Sequence, residues 1–194
     1  RRVLFRFPEQ YRRRAVRYAT LGEARTVRER MFIKPADDQC FRAAVYDSGA
    51  SLPASDVLAP SIPVLIAEPV DWQIEVRCFV LDRQVRTWSP YLRGGQLALA
   101  DDGSWPFLPG EQEQAMRYAE ALLAADDVVL PPAVVLDVGH IADRGWAVLE
   151  LNSAWGSGIY GCDPDLVLDV ISRACVPTHS LADSDRRWVI DRTV

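Results

Sequence analysis

The stretch from residue 133 to 152 constrains this chain most. Two apolar runs, Ala133–Gly139 and Trp146–Asn152, flank the turn-forming Ala142-Asp143-Arg144-Gly145, a pattern that predicts an antiparallel hairpin. Each run is interrupted by polar residues, Asp137 in the first and Glu150 and Asn152 in the second. Side chains alternate along a strand, so Trp146, Val148, Glu150 and Asn152 are expected on one face and Ala147, Leu149 and Leu151 on the other. Folding back near Ala142-Asp143 sets Asp137 across from Val148 or Glu150, within cross-strand reach. Acids inside apolar strands are costly to bury unless paired or bound to metal. An Asp, a Glu and an Asn carbonyl are hard oxygen donors of the kind Mg²⁺ takes alongside water and substrate phosphates. The competing account is structural, with one acid paired to an arginine and the other at a sheet edge.

Shorter runs fill in the rest. Met31 to Lys34 reads as a strand stopped by Pro35, and Val64 to Ala67 as a buried strand ending at Glu68-Pro69, with the Ser-, Gly- and Pro-rich stretch 45–60 as connecting loop. Ile74 to Leu81 and Val85 to Tyr91, joined by Asp82-Arg83-Gln84 and ended by Gly94-Gly95, form another predicted hairpin. Its Val76, Cys78 and Val80 make the buried face, while Glu75 and Arg77 share the other, where in isolation they read as a salt bridge on a solvated sheet. Tyr11 to Val27 is arginine-rich and helix-compatible, and Thr20 and Glu23 are spaced as the capping box of a second short helix. Ala115, Tyr118, Ala119, Leu122 and Leu123 recur at helical spacing within 111–124, and Asp163-Pro164 opens a last helix through about Ala174.

Composition narrows the function. A net charge of -5 over 194 residues provides no long-range attraction to nucleic acid or an anionic membrane. Cys40, Cys78, Cys162 and Cys175 form no CxxC pair and lie in or beside apolar stretches, and no run approaches the length of a membrane span, so a reducing cytoplasm is expected. Of 22 basic residues 21 are arginine, which makes Lys34 the lone lysine. At the exit of a short strand, held by the following proline, its ammonium suits a phosphate-binding point charge.

Taken in order, Phe32-Ile33-Lys34-Pro35, Ala67-Glu68-Pro69-Val70, Glu75-Val76-Arg77-Cys78-Phe79, Asp137-Val138-Gly139 and Trp146 through Asn152 to Gly156 resemble the motifs of ATP-grasp enzymes, nearest to the small R2K clade, from about Arg12 to Ala174. The resemblance implies an α+β, ATP-grasp fold of two small lobes with antiparallel sheets and flanking helices around an ATP cleft. Their expected extents are 1–68, open to truncation upstream because the chain starts at arginine, and 69–194. It implies an ATP- and Mg²⁺-dependent ligase that joins a small-molecule or peptide carboxylate to an amine through an acyl phosphate; the alternative is a non-catalytic nucleotide-binding regulatory module. Residue by residue it makes Lys34 the ligand of the α- and β-phosphates and places adenine and ribose along Ile66, Ala67, Glu68 and Val70. Asp137, Glu150 and Asn152 become the metal ligands, Arg77 the group that steadies the γ-phosphate or acyl phosphate, and Glu75 a neighbour of the ribose or acceptor.

Two departures stand out. The stretch Ala36 to Phe41 lacks the family's glycine-rich phosphate loop, so an unusual lid is expected, and the second, upstream lysine is missing. Arg14 or Arg17 are candidate substitutes, against the reading of that segment as a solvated helix face. Beyond Asn152, the glycines of 156–161 permit close backbone approach, and Trp155 and Tyr160 are candidates to wall an acceptor pocket.

Overall fold

The structure is a computed structural model that describes residue 4, residues 7–36 and residues 39–189. Among them, nine strands form two antiparallel sheets. The first contains β1 (Val16–Thr20), β2 (Met31–Pro35), β3 (Ala44–Tyr46) and β4 (Pro63–Ala67) in the order β1-β4-β2-β3. The helix expected from Tyr11 onward is largely absent. Helix α1 (Glu9–Arg12) ends at once because Arg13 turns left-handed, at φ 49°, and residues 16–20 extend to pair with β4 from Val16↔Ala67 to Thr20↔Pro63. Val16, Tyr18 and Thr20 are β-branched or aromatic and suit a pleated surface better than a helix. The capping box forms as predicted: the Glu23 N–H donates to Thr20 Oγ1 at 3.2 Å and the Thr20 N–H to the Glu23 carboxylate at 2.7 Å, starting α2 (Leu21–Arg25).

The second sheet runs β7-β6-β5-β8-β9, from β5 (Trp72–Leu81), β6 (Gln84–Arg93), β7 (Gln96–Leu97), β8 (Ala133–Ile141) and β9 (Gly145–Asn152). β5 and β6 are joined by Asp82-Arg83, with φ of 46° and 64°, the left-handed pair that a two-residue hairpin turn needs. The Arg83 guanidinium donates to the carbonyls of Leu123, Ala125 and Val128, closing the end of α3 (Glu111–Ala124).

Two helices pack on this sheet unequally. The predicted stripe of α3 buries Ala115, Ala119, Leu122 and Leu123 against the face formed by Val76, Cys78, Leu136 and Val138. Helix α4 (Pro164–Ala174), capped by Asp163 as its sequence predicts, covers the opposite face only as far as Phe79 and Val135. Beyond them lie the cross-strand pairs Arg77↔Asp137 and Glu75↔Gly139, of which Arg77 and Glu75 form the floor of an open cleft. Its roof is the first sheet. Ile33, Val64 and Ile66 turn away to pack on Leu21 and Ala24 of α2, and Val16, Phe32, Lys34 and Leu65 look down. No helix among the described residues is long and apolar enough to cross a membrane.

Candidate active site

The cleft has a volume of about 980 Å³, and most of the residues singled out from the sequence border it. Asp137 is fully buried, and Arg77, 7 % exposed, lies opposite it on β5. Nε donates to Oδ1 at 2.9 Å and Nη2 to Oδ2 at 2.7 Å, a two-bond fork. Arg77 and Glu75 therefore do not pair with each other on a solvated face. Arg77 also donates to the Gly158 carbonyl at 3.1 Å, and its guanidinium carbon is 5.1 Å from the ring centroids of both Tyr91 and Tyr160. Burial pushes the Asp137 carboxyl up to about 6, against the pull of Arg77.

From the roof, the Lys34 ammonium donates to Glu150 Oε2 and so spans the two sheets. The Asn152 amide donates from Nδ2 to Asp137 Oδ2 at 3.0 Å and to Glu150 Oε1 at 2.9 Å. Burial raises the Glu150 carboxyl, but the Lys34 charge and the Asn152 amide outweigh it and the net shift is downward. Asp137, Glu150 and Asn152 thus stand side by side within one network, each acid held by a cation from a different strand.

The alternation expected for β9 breaks at one residue. Asp137 pairs with Glu150, but Val138 pairs with Val148, so Leu149 is an extra residue, a β-bulge. Trp146 and Val148 consequently share the α3 face with Leu151, not with Glu150. The bulge inverts the parity and turns Glu150 and Asn152 together onto the Asp137 face. The strand periodicity carries no mark of the bulge.

The remaining predicted residues divide. Ala67, Glu68 and Val70 line the cleft where the chain passes from one sheet to the other, whereas the Ile66 side chain is wholly buried in the core under α2. Glu68 is held by Arg144 from the β8–β9 turn, at 2.9 and 2.5 Å, and this bond draws its carboxyl below the usual range. Glu75 accepts from the Tyr91 hydroxyl at 2.6 Å; burial raises its carboxyl, and the charges of Asp137 and Glu150 add to the rise. Tyr160 borders the cleft and stacks on Tyr91 at 5.1 Å, but Trp155 is 51 % exposed and borders a separate apolar cavity of about 420 Å³. In the segment expected to form an unusual lid, Asp37 and Asp38 lie outside the described residues, while Gln39, Phe41 and Arg42 border the cleft. Arg17 is exposed in β1, but Arg14 is buried beside the cleft and not on a solvated helix. Cys78 and Cys162 pack as small hydrophobes, whereas Cys40 and Cys175 are exposed.

The sequence reading passed over Tyr91 and Trp72. Tyr91 is the extra residue of a bulge in β6, between Glu75↔Leu92 and Val76↔Pro90, and only that register brings it onto the Glu75 face. Interior Pro90, unusual within a strand, is the available signal.

Among the described residues no three His, Cys, Asp or Glu side chains gather as a metal site. The candidate set holds two carboxylates, completed by the Asn152 amide. Its donor chemistry, two carboxylates and a neutral amide oxygen on adjacent strands, with Glu150 and Asn152 bordering the cleft and Asp137 behind Arg77, fits Mg²⁺ that shares its shell with phosphate oxygens.

Two antiparallel sheets that close on a cleft, with a lysine in the roof and paired carboxylates in the floor, define the class: this is the ATP-grasp fold. The chain belongs to the ATP-grasp domain family, R2K clade family 2, which it matches over residues 11–170. Among solved structures it is similar to D-alanine–D-alanine ligase from Bacillus anthracis, at 15% identity over 86% of this chain and 62% of that one, with a TM-score of 0.51. It is also similar to D-cycloserine synthetase DcsG, at 18% identity over 89% of this chain and 67% of that one (TM-score 0.49). A third is the ATP-grasp ligase PsnB complexed with precursor peptide PsnA2 and AMPPNP, at 19% identity over 84% of this chain and 52% of that one (TM-score 0.46). The chain thus spans about half the length of PsnB. No curated protein sequence matches it.

Proposed function

We propose that this chain is an ATP- and Mg²⁺-dependent ligase that joins a carboxylate to an amine through an acyl phosphate, with residues 1–68 and 69–194 as the lobes that close on ATP. The observation that carries the reading is the meeting of Lys34, Arg77, Asp137, Glu150 and Asn152 across one cleft.

In this reading Lys34 exchanges Glu150 for the α- and β-phosphate oxygens. Ala67, Glu68 and Val70 border adenine and ribose, with Ile66 behind them in the core. Mg²⁺, held by Asp137, Glu150 and Asn152, supplies neutralisation of the phosphate charge when bound. A carboxylate oxygen of the substrate attacks the γ-phosphorus and ADP leaves; Arg77, already braced by Asp137, places its fixed positive charge beside the transferred group. The amine nitrogen then attacks the acyl carbon, phosphate departs, and the amine gives up a proton. Glu75 and Tyr91 border the ribose or the acceptor. Because each carboxylate is neutralised by a cation in the free cleft, ATP and Mg²⁺ are expected to bind as partners, each favouring the other.

Calorimetry of ATP binding with and without Mg²⁺ tests the reading. Wild type should show Mg²⁺-dependent binding, and the double variant Glu150→Ala with Asn152→Ala should lose it. A folded wild type that binds no ATP would sink the proposal and leave the network as a structural ion-pair cluster. The missing glycine loop and second lysine favour one rival, a nucleotide-binding regulatory module; it predicts Mg²⁺-dependent binding with no ADP release for any carboxylate and amine pair.

A further inference from the structure

Arg14 is a buried cation to which the proposed chemistry gives no task. It lies between α1 and β1, is 6 % exposed, and reaches to β9. Nη1 donates to the Val148 carbonyl at 2.7 Å and to the Arg12 carbonyl at 3.1 Å, and Nη2 donates to the Leu149 carbonyl at 3.0 Å. The guanidinium carbon is 4.8 Å from the centroid of the Trp72 ring. That ring in turn lies against Gly139, where an added Cβ would meet its Cε3 and Cζ3 at 2.6 and 2.8 Å. Gly139, Trp72, Arg14 and the β9 backbone therefore form one stack.

The stack ends on the bulge. β9 is an edge strand, so carbonyls that face away from β8 have no ladder partner, and the extra residue disturbs the ladder further. Arg14 takes both carbonyls that flank the insertion. Without the insertion, Glu150 would follow Val148 onto the α3 face, under the sheet and out of the cleft.

We propose that Arg14 is a positioning residue: by gripping the Val148 and Leu149 carbonyls it holds the bulge that turns Glu150 into the cleft beside Asp137 and Asn152. The planar fork suits two adjacent carbonyls at once, whereas a lysine ammonium on a flexible stem does not reproduce that geometry. Burial lowers its pKa only to about 10, so the cation persists at neutral pH. The functional consequence rests on the ligase reading above; the structural one does not.

The test therefore has two arms. In the first, hydrogen exchange compares wild type with Arg14→Ala, Arg14→Lys and Gly139→Ala, the last of which dislodges Trp72 without altering Arg14. Amides of β9 are expected to exchange faster, by about tenfold or more in Arg14→Ala, with a smaller rise in the other two and no change in the β5–β6 hairpin of the two Arg14 variants. In the second arm, titration of Mg²⁺ at fixed ATP is expected to need about 10–100-fold more metal in Arg14→Ala, with metal-free ATP affinity unchanged, as for loss of a group that orients a ligand. Unchanged β9 exchange in Arg14→Ala overturns the proposal, and so does equal loss of ATP affinity with and without Mg²⁺, which would make Arg14 a phosphate ligand. Should Arg14→Ala unfold, the milder pair decides: wild-type β9 protection in both Arg14→Lys and Gly139→Ala overturns it. A wild type that binds no ATP removes the ligase reading, and the exchange arm still decides the role of Arg14.

Discussion

The hairpins β5–β6 and β8–β9 use the same device in different ways. Each carries an extra residue on its outer strand at the cleft, Tyr91 in β6 and Leu149 in β9, and each bulge turns a polar side chain onto the floor. In β6 the disturbed backbone is repaired within the same meander, since the Tyr91 carbonyl accepts from the Ala98 N–H at 3.0 Å. In β9 the repair comes from Arg14, far away in sequence, in the segment between α1 and β1. A bulge repaired locally makes a wall that stands by itself. A bulge repaired by a distant segment makes a carboxylate whose orientation depends on how that segment docks, and that carboxylate is the one Lys34 pairs with.

The largest effect should come from breaking the joint where the two hairpins meet. Asp137→Ala leaves the Arg77 guanidinium buried without its carboxylate, and removal of one partner from a buried pair costs about 3–5 kcal/mol. Urea denaturation measures it; a loss below about 1 kcal/mol would mean that the pair is not what couples the hairpins. Next is Tyr91→Phe, which keeps the ring against Tyr160 but strips a buried donor from Glu75, for an expected loss of about 1–3 kcal/mol. It also raises the Glu75 carboxyl further, because the hydroxyl now lowers it. If the two bulges are independent, Tyr91→Phe and Arg14→Lys should add to within about 0.5 kcal/mol; a larger coupling erases the contrast.

What could be read in advance follows from the range of the forces involved. Helix α3 is legible because its stripe of Ala115, Ala119, Leu122 and Leu123 repeats over about two and a half turns, and the Asp163 cap and Thr20–Glu23 box are local hydrogen-bond patterns. β1 is not, because Arg12, Arg13, Arg14 and Arg17 suit an exposed helix and only pairing with β4, some fifty residues on, makes the segment extend. The facing of Glu150 with Asn152 is legible, and their separation from Val148 is not, since a bulge shifts parity without changing composition. Lys34 stands out by rarity, while its partner Glu150 stands out by interrupting an apolar run. Arg14 has neither mark: one arginine among 21, its burial is decided by carbonyls of a strand more than a hundred residues later.

The smallest effect concerns the tips of the same hairpins. At the β5–β6 tip Arg83 caps α3 and touches only carbonyls, which do not titrate. At the β8–β9 tip Arg144 grips Glu68, in the segment joining the two sheets, so only this tip should respond to pH. Arg144 holds the Glu68 carboxyl below its ordinary value. A depressed folded-state pKa contributes stability that is complete above the unfolded value of about 4.3 and disappears as pH falls through the folded one. Both side chains are more than a third exposed, at 40% for Arg144 and 37% for Glu68, so solvent screening keeps the contribution small. The stability difference between wild type and Glu68→Gln should therefore be small but measurable at neutral pH and low salt, shrink in high salt, and vanish in acid, while Arg83→Lys gives a pH-independent difference. A difference for Glu68→Gln that persists unchanged into acid would place the interaction in packing of the linker and remove the electrostatic distinction between the tips.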